Sequence, residues 1–301
     1  MQIFSRIHPY TYEQMTQDLT GFPRLFGSSC HLETIGASES GRPIYSLLLG
    51  NPHSRHHFLI QGAMHGREYM TSRLIMALAH SILSLKKGFP FLLSSVCFHL
   101  LPMINPDGVR ISQRECLPAP LIPLYLECQE AARPSPRQYA RRWKANGQGV
   151  DLNRNFPARW EYLNSPPRPS DQEYKGPYPL SAAETRALAS YTLSYPFCAT
   201  VSYHESGSEI YYKYGTREDI IESSRLIAEK ISSVTGYPII TGRSLAAGGY
   251  KDWAMETLGI PSVTIEIGSG PSPLDPREFE TVLNQNWPVP SALLEWRMTK
   301  D

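Results

Sequence analysis

Short apolar runs separated by segments of helical periodicity constrain this chain more than any other feature. Residues 56–63 form an apolar run ending in small residues, and Met70, Leu74, Leu78 and Ile82 then recur at fourfold spacing. This predicts a buried strand followed by a helix from about Glu68. A second buried strand is expected at 91–104, stopped by an N-P-D-G turn at 105–108. The S-x-x-E box at Ser181–Glu184 opens a predicted helix to about Ser194. Strands follow at 197–203, 209–214, 238–242 and 262–267, with helices over 217–235 and 249–258 and a mostly helical end. Residues 28–51 read as a hairpin turning at E-S-G-R, and the Pro-rich stretch 113–142 as a long loop. Such alternation predicts an α/β fold with a largely parallel or mixed sheet, in one domain over residues 1–301.

Charge and composition exclude several functions. A net charge of +1, with 19% charged and 41% hydrophobic residues, gives no expectation of nucleic-acid or membrane-surface binding. No window reaches the ~18 apolar residues of a spanning helix. The start MQIFSRIHPYTYEQ lacks the basic-then-apolar pattern of a secretory signal, so a cytoplasmic protein is expected, although a mature secreted chain would read the same. Five scattered cysteines without a C-x-x-C pair suit that setting; Cys97 and Cys198 read as core residues, and free thiols are favoured over a Cys116–Cys128 disulfide.

Where, then, is the chemistry? His65 and Glu68 sit after a predicted strand, with Gly66 between them to allow convergence, and imidazole and carboxylate are both zinc ligands. Alone, H-x-x-E fits a half-exposed histidine beside a helix-start glutamate more readily than a metal site. A catalytic zinc needs a third protein ligand, and His204, at the end of the apolar run FCATVSYH, is the best placed. The other histidines, His8, His31, His53, His56, His57, His80 and His99, read as core or surface residues. In GVDLNRNFP, Arg154 offers a planar fork matched to a carboxylate and Asn153 a further hydrogen bond, although a capped turn with a surface arginine also explains the segment. Glu266 lies in a strand otherwise of Val, Ile and Thr, where a carboxylate is costly unless paired, facing a cleft or poised for proton transfer.

In order, H-G-R-E (65–68), N-P-D-G (105–108), D-L-N-R-N-F (151–156), Y-H-E-S-G (203–207), G-G-Y-K-D-W (248–253) and T-I-E-I-G (264–268) resemble the zinc metallocarboxypeptidase family. The resemblance implies a three-layer α/β/α sandwich around a mixed, mostly eight-stranded sheet. It further implies one Zn²⁺ per chain on His65, Glu68 and His204. Glu266 matches the general base that activates the attacking water and later protonates the leaving amine. Asn153 and Arg154 match the pair that holds the substrate's terminal carboxylate. R-W-K-A-N (142–146), F-P-A-R-W-E (156–161), Y-K-D-W (250–253) and E-I-G-S-G-P-S-P-L (266–274) are similar to bacterial γ-D-glutamyl-(L)-meso-diaminopimelate peptidases. That likeness implies a small muropeptide fragment as substrate.

The chain also departs from the family pattern. Lys144 stands nine positions before Asn153, where an arginine usually polarises the scissile carbonyl; Arg142 is the alternative cation. Ser244 stands 22 residues before Glu266, where many members carry a substrate-capping tyrosine, a role Tyr250 is a candidate to take. Lys251 occupies the position that selects the terminal side chain in digestive members, where a lysine suits a carboxylate such as that of diaminopimelate, unless it is a solvent-facing helix residue. Arg67 is a candidate substrate contact. Two other readings stay open: a broad-specificity carboxypeptidase or N-acyl amino acid deacylase on the same scaffold, and an inactive binding protein.

Overall fold

The computed structural model describes residues 8–27, 30–88, 92–128, 134–241 and 248–299. Its frame is a sheet of β1 (Cys30–Ala37), β2 (Pro43–Gly50), β3 (His57–Gln61), β4 (Cys97–Leu101), β5 (Phe197–Glu205), β6 (Glu209–Tyr211), β7 (Ile239–Ile240) and β8 (Ser262–Ile267). The spatial order is β1-β2-β4-β3-β5-β8-β6-β7. The central strands β4, β3, β5 and β8 run parallel, and β2 and β6 pair antiparallel at their flanks. Every residue of β3 and β4 is buried, as a parallel sheet covered on both faces requires.

Helices supply that cover. Met70–Gly88, Glu218–Thr235, Phe279–Asn286 and Val289–Met298 pack on one another as one layer. On the other side lies Ala183–Leu193, whose Tyr191 hydroxyl meets His99 of β4 at 2.6 Å and Ser46 of β2 at 2.8 Å. The result is the expected α/β/α sandwich. A helix at Tyr12–Phe26, not among the elements expected above, is capped by Thr11 and buries Met15, Leu19 and Phe22 along one stripe. Among the described residues no helix is long and apolar enough to cross a membrane.

Several local expectations change. The N-P-D-G segment does not end in a turn: Asn105 caps a helix over Pro106–Arg114, its side chain accepting from the Gly108 N–H at 2.8 Å, with Pro106 in the first turn. The run at 91–104 divides into a helical turn, Leu92–Ser95, and β4. The stretch 113–142 holds short helical segments at Ala119–Leu121, Ile122–Leu126 and Pro136–Arg141, with prolines at their starts. Tyr139, Ala140 and Trp143 close over Ile111 and Leu121 as a small second core. Prolines there begin helices rather than forbid them. No disulfide joins any of the five cysteines, all of which lie among the described residues.

Ser181 does not cap the helix that follows it. The helix begins at Ala183, and its amide donates to Glu39 Oε1 of the β1–β2 turn at 2.7 Å. Glu184 is fully buried and accepts from Asn146 Nδ2 at 3.0 Å and from the Glu39 N–H at 3.3 Å. Burial pushes its carboxyl up to about 7 against the pull of these donors, with the charge of Asp107 adding to the rise. A carboxyl raised in the folded state binds more protons than its unfolded counterpart, so its contribution is present below the ordinary glutamate value of 4.5 and is lost as pH rises toward 7. The unfolding free energy of the wild-type protein from urea titrations should therefore fall over this window by an amount on the order of 1–3 kcal/mol from this group. Glu184→Gln should flatten that part of the profile, and an unchanged slope would remove Glu184 as its source.

Candidate active site

β3, β5 and β8 end on the same edge of the sheet, and each delivers part of one constellation. After β3 the chain enters a loop in which the Gly62 N–H donates to the Leu101 carbonyl at 3.1 Å. A Cβ on Gly66 would lie 2.5 Å from the Gly108 carbonyl and 2.8 Å from the Trp143 oxygen, so this approach needs glycine. Asn105 holds three segments together: its Nδ2 donates to the carbonyls of Met64 (3.1 Å) and Ala145 (3.0 Å) while its Oδ1 caps the helix at Gly108. The loop thereby delivers His65 and Glu68 to the end of β5, where His204 lies.

His65 Nδ1 is 2.8 Å from Glu68 Oε1, and His204 Nδ1 is 2.9 Å from Glu68 Oε2. The two Nδ1 atoms are 3.2 Å apart, and all three side chains are buried. Their ligand atoms lie within 4.8 Å of one another, a set able to hold a metal ion. Two imidazoles and one carboxylate, with a fourth position left for water or substrate, are the donors of a catalytic zinc. His65 Nε2 faces Asp151 Oδ1 at 3.3 Å and is otherwise an unsatisfied buried nitrogen. A carboxylate behind a ligating imidazole fixes its ring orientation and tautomer.

The electrostatics agree with a cation-seeking site. Burial alone would raise Glu68, but His65 and His204 hold it well below the usual carboxylate range. His65 moves up, burial being outweighed by the charges of Glu68 and Asp151. Asp151 moves down, because its pairing with His65 and the charges of Arg154 and Lys144 overcome burial.

Glu266 of β8 is the register partner of His204 on β5. Burial pushes its carboxyl up to about 7; His204 and Lys144 pull it down, while Glu68 and Glu209 push it up. The half-buried Lys144 acts electrostatically on His65, Asp151 and Glu266, which places its charge at the site. Its backbone belongs to the same stitching, accepting the Gly66 N–H at 2.9 Å.

Asn153 and Arg154, the pair expected to hold a carboxylate, already have partners. Asn153 Oδ1 accepts the Tyr250 N–H at 3.1 Å. The Arg154 fork holds Glu173, Nε to Oε2 at 2.8 Å and Nη2 to Oε1 at 3.4 Å. Lys251 is not solvent-facing: it is buried, its ammonium donates to Asp252 Oδ1 at 2.7 Å, and it lies 5.4 Å from the Tyr214 ring centre. Arg142 is drawn away, pairing with Asp171 at 3.2 Å and packing over Tyr139, while Arg67 donates to the Arg142 carbonyl at 3.3 Å. Tyr250 cannot take the capping role, because its ring is buried against Phe156 and Trp253 and its hydroxyl meets Thr192 at 3.0 Å. Ser244 falls outside the described residues.

Three further carboxylates join this region without a motif that points to their role. Asp151 begins the D-L-N-R-N-F motif, and its position there was the available signal. Glu173 is 19 residues from Arg154 and had none. Glu205, beside His204, accepts from Met70 N (3.0 Å), Leu274 N (3.1 Å) and Ser272 Oγ (3.1 Å), tying a helix start to a loop. Burial, reinforced by Glu68, pushes its carboxyl up to about 8.

Fold and site together define a class: an α/β scaffold with a buried His-Glu-His set and a further glutamate at the carboxyl ends of parallel strands. Residues 15–289 match the family model described as zinc carboxypeptidase, and the chain belongs to this family of zinc metallopeptidases. It is 33% identical to gamma-D-glutamyl-L-diamino acid endopeptidase 1 of Lysinibacillus sphaericus, covering 92% of this chain and 70% of that protein. Its fold resembles carboxypeptidase A of Helicoverpa armigera (TM-score 0.78, 20% identity, 99% of this chain and 77% of that one). It also resembles murein-tripeptide amidase MpaA of Escherichia coli O157 (TM-score 0.54, 20% identity, 88% and 92%).

Asp151→Asn should weaken zinc binding by roughly 10–100-fold, the usual cost of losing such a supporting partner. Competition against a chromophoric chelator measures it, and an unchanged affinity would deny Asp151 its role in orienting His65.

Proposed function

We propose that this chain, acting as one catalytic unit, hydrolyses the γ-D-Glu–meso-diaminopimelate bond of small peptidoglycan-derived peptides. The observation that carries the hydrolytic reading is the register pairing of His204 with Glu266, which sets a carboxyl near neutrality beside the metal-binding set. The substrate reading rests on the 33% identity to a relative named as a γ-D-glutamyl-L-diamino acid endopeptidase.

His65, Glu68 and His204 hold the zinc. The ion, when bound, supplies Lewis acidity that polarises a carbonyl and acidifies water. Glu266 takes the proton from the attacking water and returns it to the leaving amine, a task suited to a carboxyl whose pKa lies near the working pH. Lys144 places positive charge where the oxyanion develops, without the bidentate fork of an arginine. Asn153 and Arg154 receive the free carboxylate of the diaminopimelate residue, which replaces Glu173 in the Arg154 fork. The far end of meso-diaminopimelate carries both an ammonium and a carboxylate. The Lys251–Asp252 pair presents the complementary two charges, so this zwitterionic end is favoured over the lone ammonium of lysine.

The tripeptide L-Ala-γ-D-Glu-meso-diaminopimelate, incubated with zinc-loaded protein and followed by mass spectrometry, should release diaminopimelate at least about tenfold faster than hippuryl-amino acids or N-acyl amino acids are cleaved, as a site built on hydrogen-bonded recognition discriminates. Preference for the hippuryl substrates would favour a general carboxypeptidase, and for the N-acyl substrates a deacylase. Glu266→Gln should lower kcat by roughly 10²–10⁴-fold while retaining zinc. Near-wild-type turnover in that variant would remove Glu266 as the general base.

A further inference from the structure

At the opposite end of the same sheet lies a second cluster of donors that plays no part in the chemistry above. The β3–β4 register pairs His57 with Cys97 and Leu59 with His99. Strand alternation then puts His57, Cys97 and His99 on one face, under the helix Ala183–Leu193. All three are buried, one donor atom from each lies within 4.8 Å of those of the other two, and His57 Nδ1 and His99 Nε2 are 2.7 Å apart. Gly50, the β2 partner of Cys97, adds no side chain to the space beside them.

The surroundings are those of ligands rather than of packing alone. The second nitrogen of each ring is already anchored: His57 Nε2 to the Ser54 carbonyl at 2.8 Å, and His99 Nδ1 to the Tyr191 hydroxyl at 2.6 Å. Tyr191 continues to Glu33 Oε2 at 3.2 Å, and Tyr195 also donates to Glu33, at 3.0 Å. Both rings are thus aimed at a common point by outer hydrogen bonds that end on a carbonyl and a carboxylate, the usual support of metal-binding histidines. A surface cavity of about 420 Å³, lined in part by Glu33, Tyr191 and Tyr195, opens beside this network and offers an approach.

We propose that His57, Cys97 and His99 form a second metal site that takes Zn²⁺ with solvent as its fourth ligand, clamping the start of β3 to β4. Two imidazoles and a thiolate are borderline-to-soft donors that suit zinc. The site is separate from the catalytic one: β3 carries the chain four residues beyond His57, roughly 13 Å at ~3.3 Å per residue, before the loop of His65 begins. The Ser54 carbonyl holds the His57 proton on Nε2, which leaves Nδ1 with a lone pair for the ion. On His99 the proton moves from Nε2 to Nδ1, where the Tyr191 oxygen accepts it as that hydroxyl turns to Glu33. The Cys97 thiol proton leaves to solvent, so one proton is released per ion bound.

The catalytic set contains no thiolate, which makes cobalt a selective probe. Zinc-loaded wild-type protein should carry two ions per chain by elemental mass spectrometry. Full cobalt exchange should produce a thiolate-to-cobalt charge-transfer band in the near ultraviolet. Cys97→Ser should lose that band and one of the two ions while retaining peptidase activity. One ion per chain with no band in the wild-type protein would overturn the proposal, as would a band that persists in Cys97→Ser. The wild-type stoichiometry and spectrum decide the matter even if the variant does not fold, and neither depends on which peptide is cleaved.

Discussion

The parallel pairing of β3, β5 and β8 is the constraint on which the rest of the molecule depends. These strands are too apolar to face water, so they are covered by helices on both sides, and their crossovers bring every carboxyl end to one edge. There β3 hands its chain to the loop of His65 and Glu68, while β5 and β8 place His204 and Glu266 side by side. Because side chains alternate along a strand, a slip of one residue between β5 and β8 would send Glu266 to the other face. The buried β-ladder is therefore the device that sets catalytic geometry, and Asn105 extends its precision into the loops by bonding three of them at once.

Around that edge the structure concentrates carboxylates, Glu68, Asp151, Glu205 and Glu266, in a poorly solvated space. They persist together because each has a distinct compensation. Glu68 has two imidazoles, Asp151 has His65 and the backbone amides of Asn153 and Glu173, and Glu205 has two amides and a hydroxyl. Glu266 is raised toward neutrality, and the charge of Lys144 is directed at it. This contrast separates a carboxylate held ionised between two imidazoles from one raised toward neutrality. The Arg154–Glu173 pair follows the same pattern, keeping a half-buried guanidinium satisfied.

Much of the frame was legible because hydrophobic period is a local property. The hairpin, the strands around 57–61 and 262–267 and the helices around 70–88 and 218–235 stand where apolar spacing predicts them. What misled was capping. Asn105-Pro106 reads as a turn, but Asn105 caps a helix there whose Ile111 packs with Trp143. Ser181 reads as a cap, but Glu39, 144 positions earlier in the chain, reaches the helix amide first. The site residues that escaped notice, Glu173 and Glu205, share a cause: their partners are remote in sequence, and no local spacing reveals them.

By itself the sequence determined the strand and helix alternation, the family motifs and the residue types able to bind zinc, since these rest on local periodicity and on side-chain chemistry. Only the tertiary structure decided which cations stand at the site. It sends Arg142 to Asp171, buries Lys251 against Asp252, turns Tyr250 into the core and leaves the charge of Lys144 acting on Glu266. The reason is physical. A long polar side chain can reach in many directions from one backbone position, and which partner it meets depends on the burial and charge that distant segments bring to it.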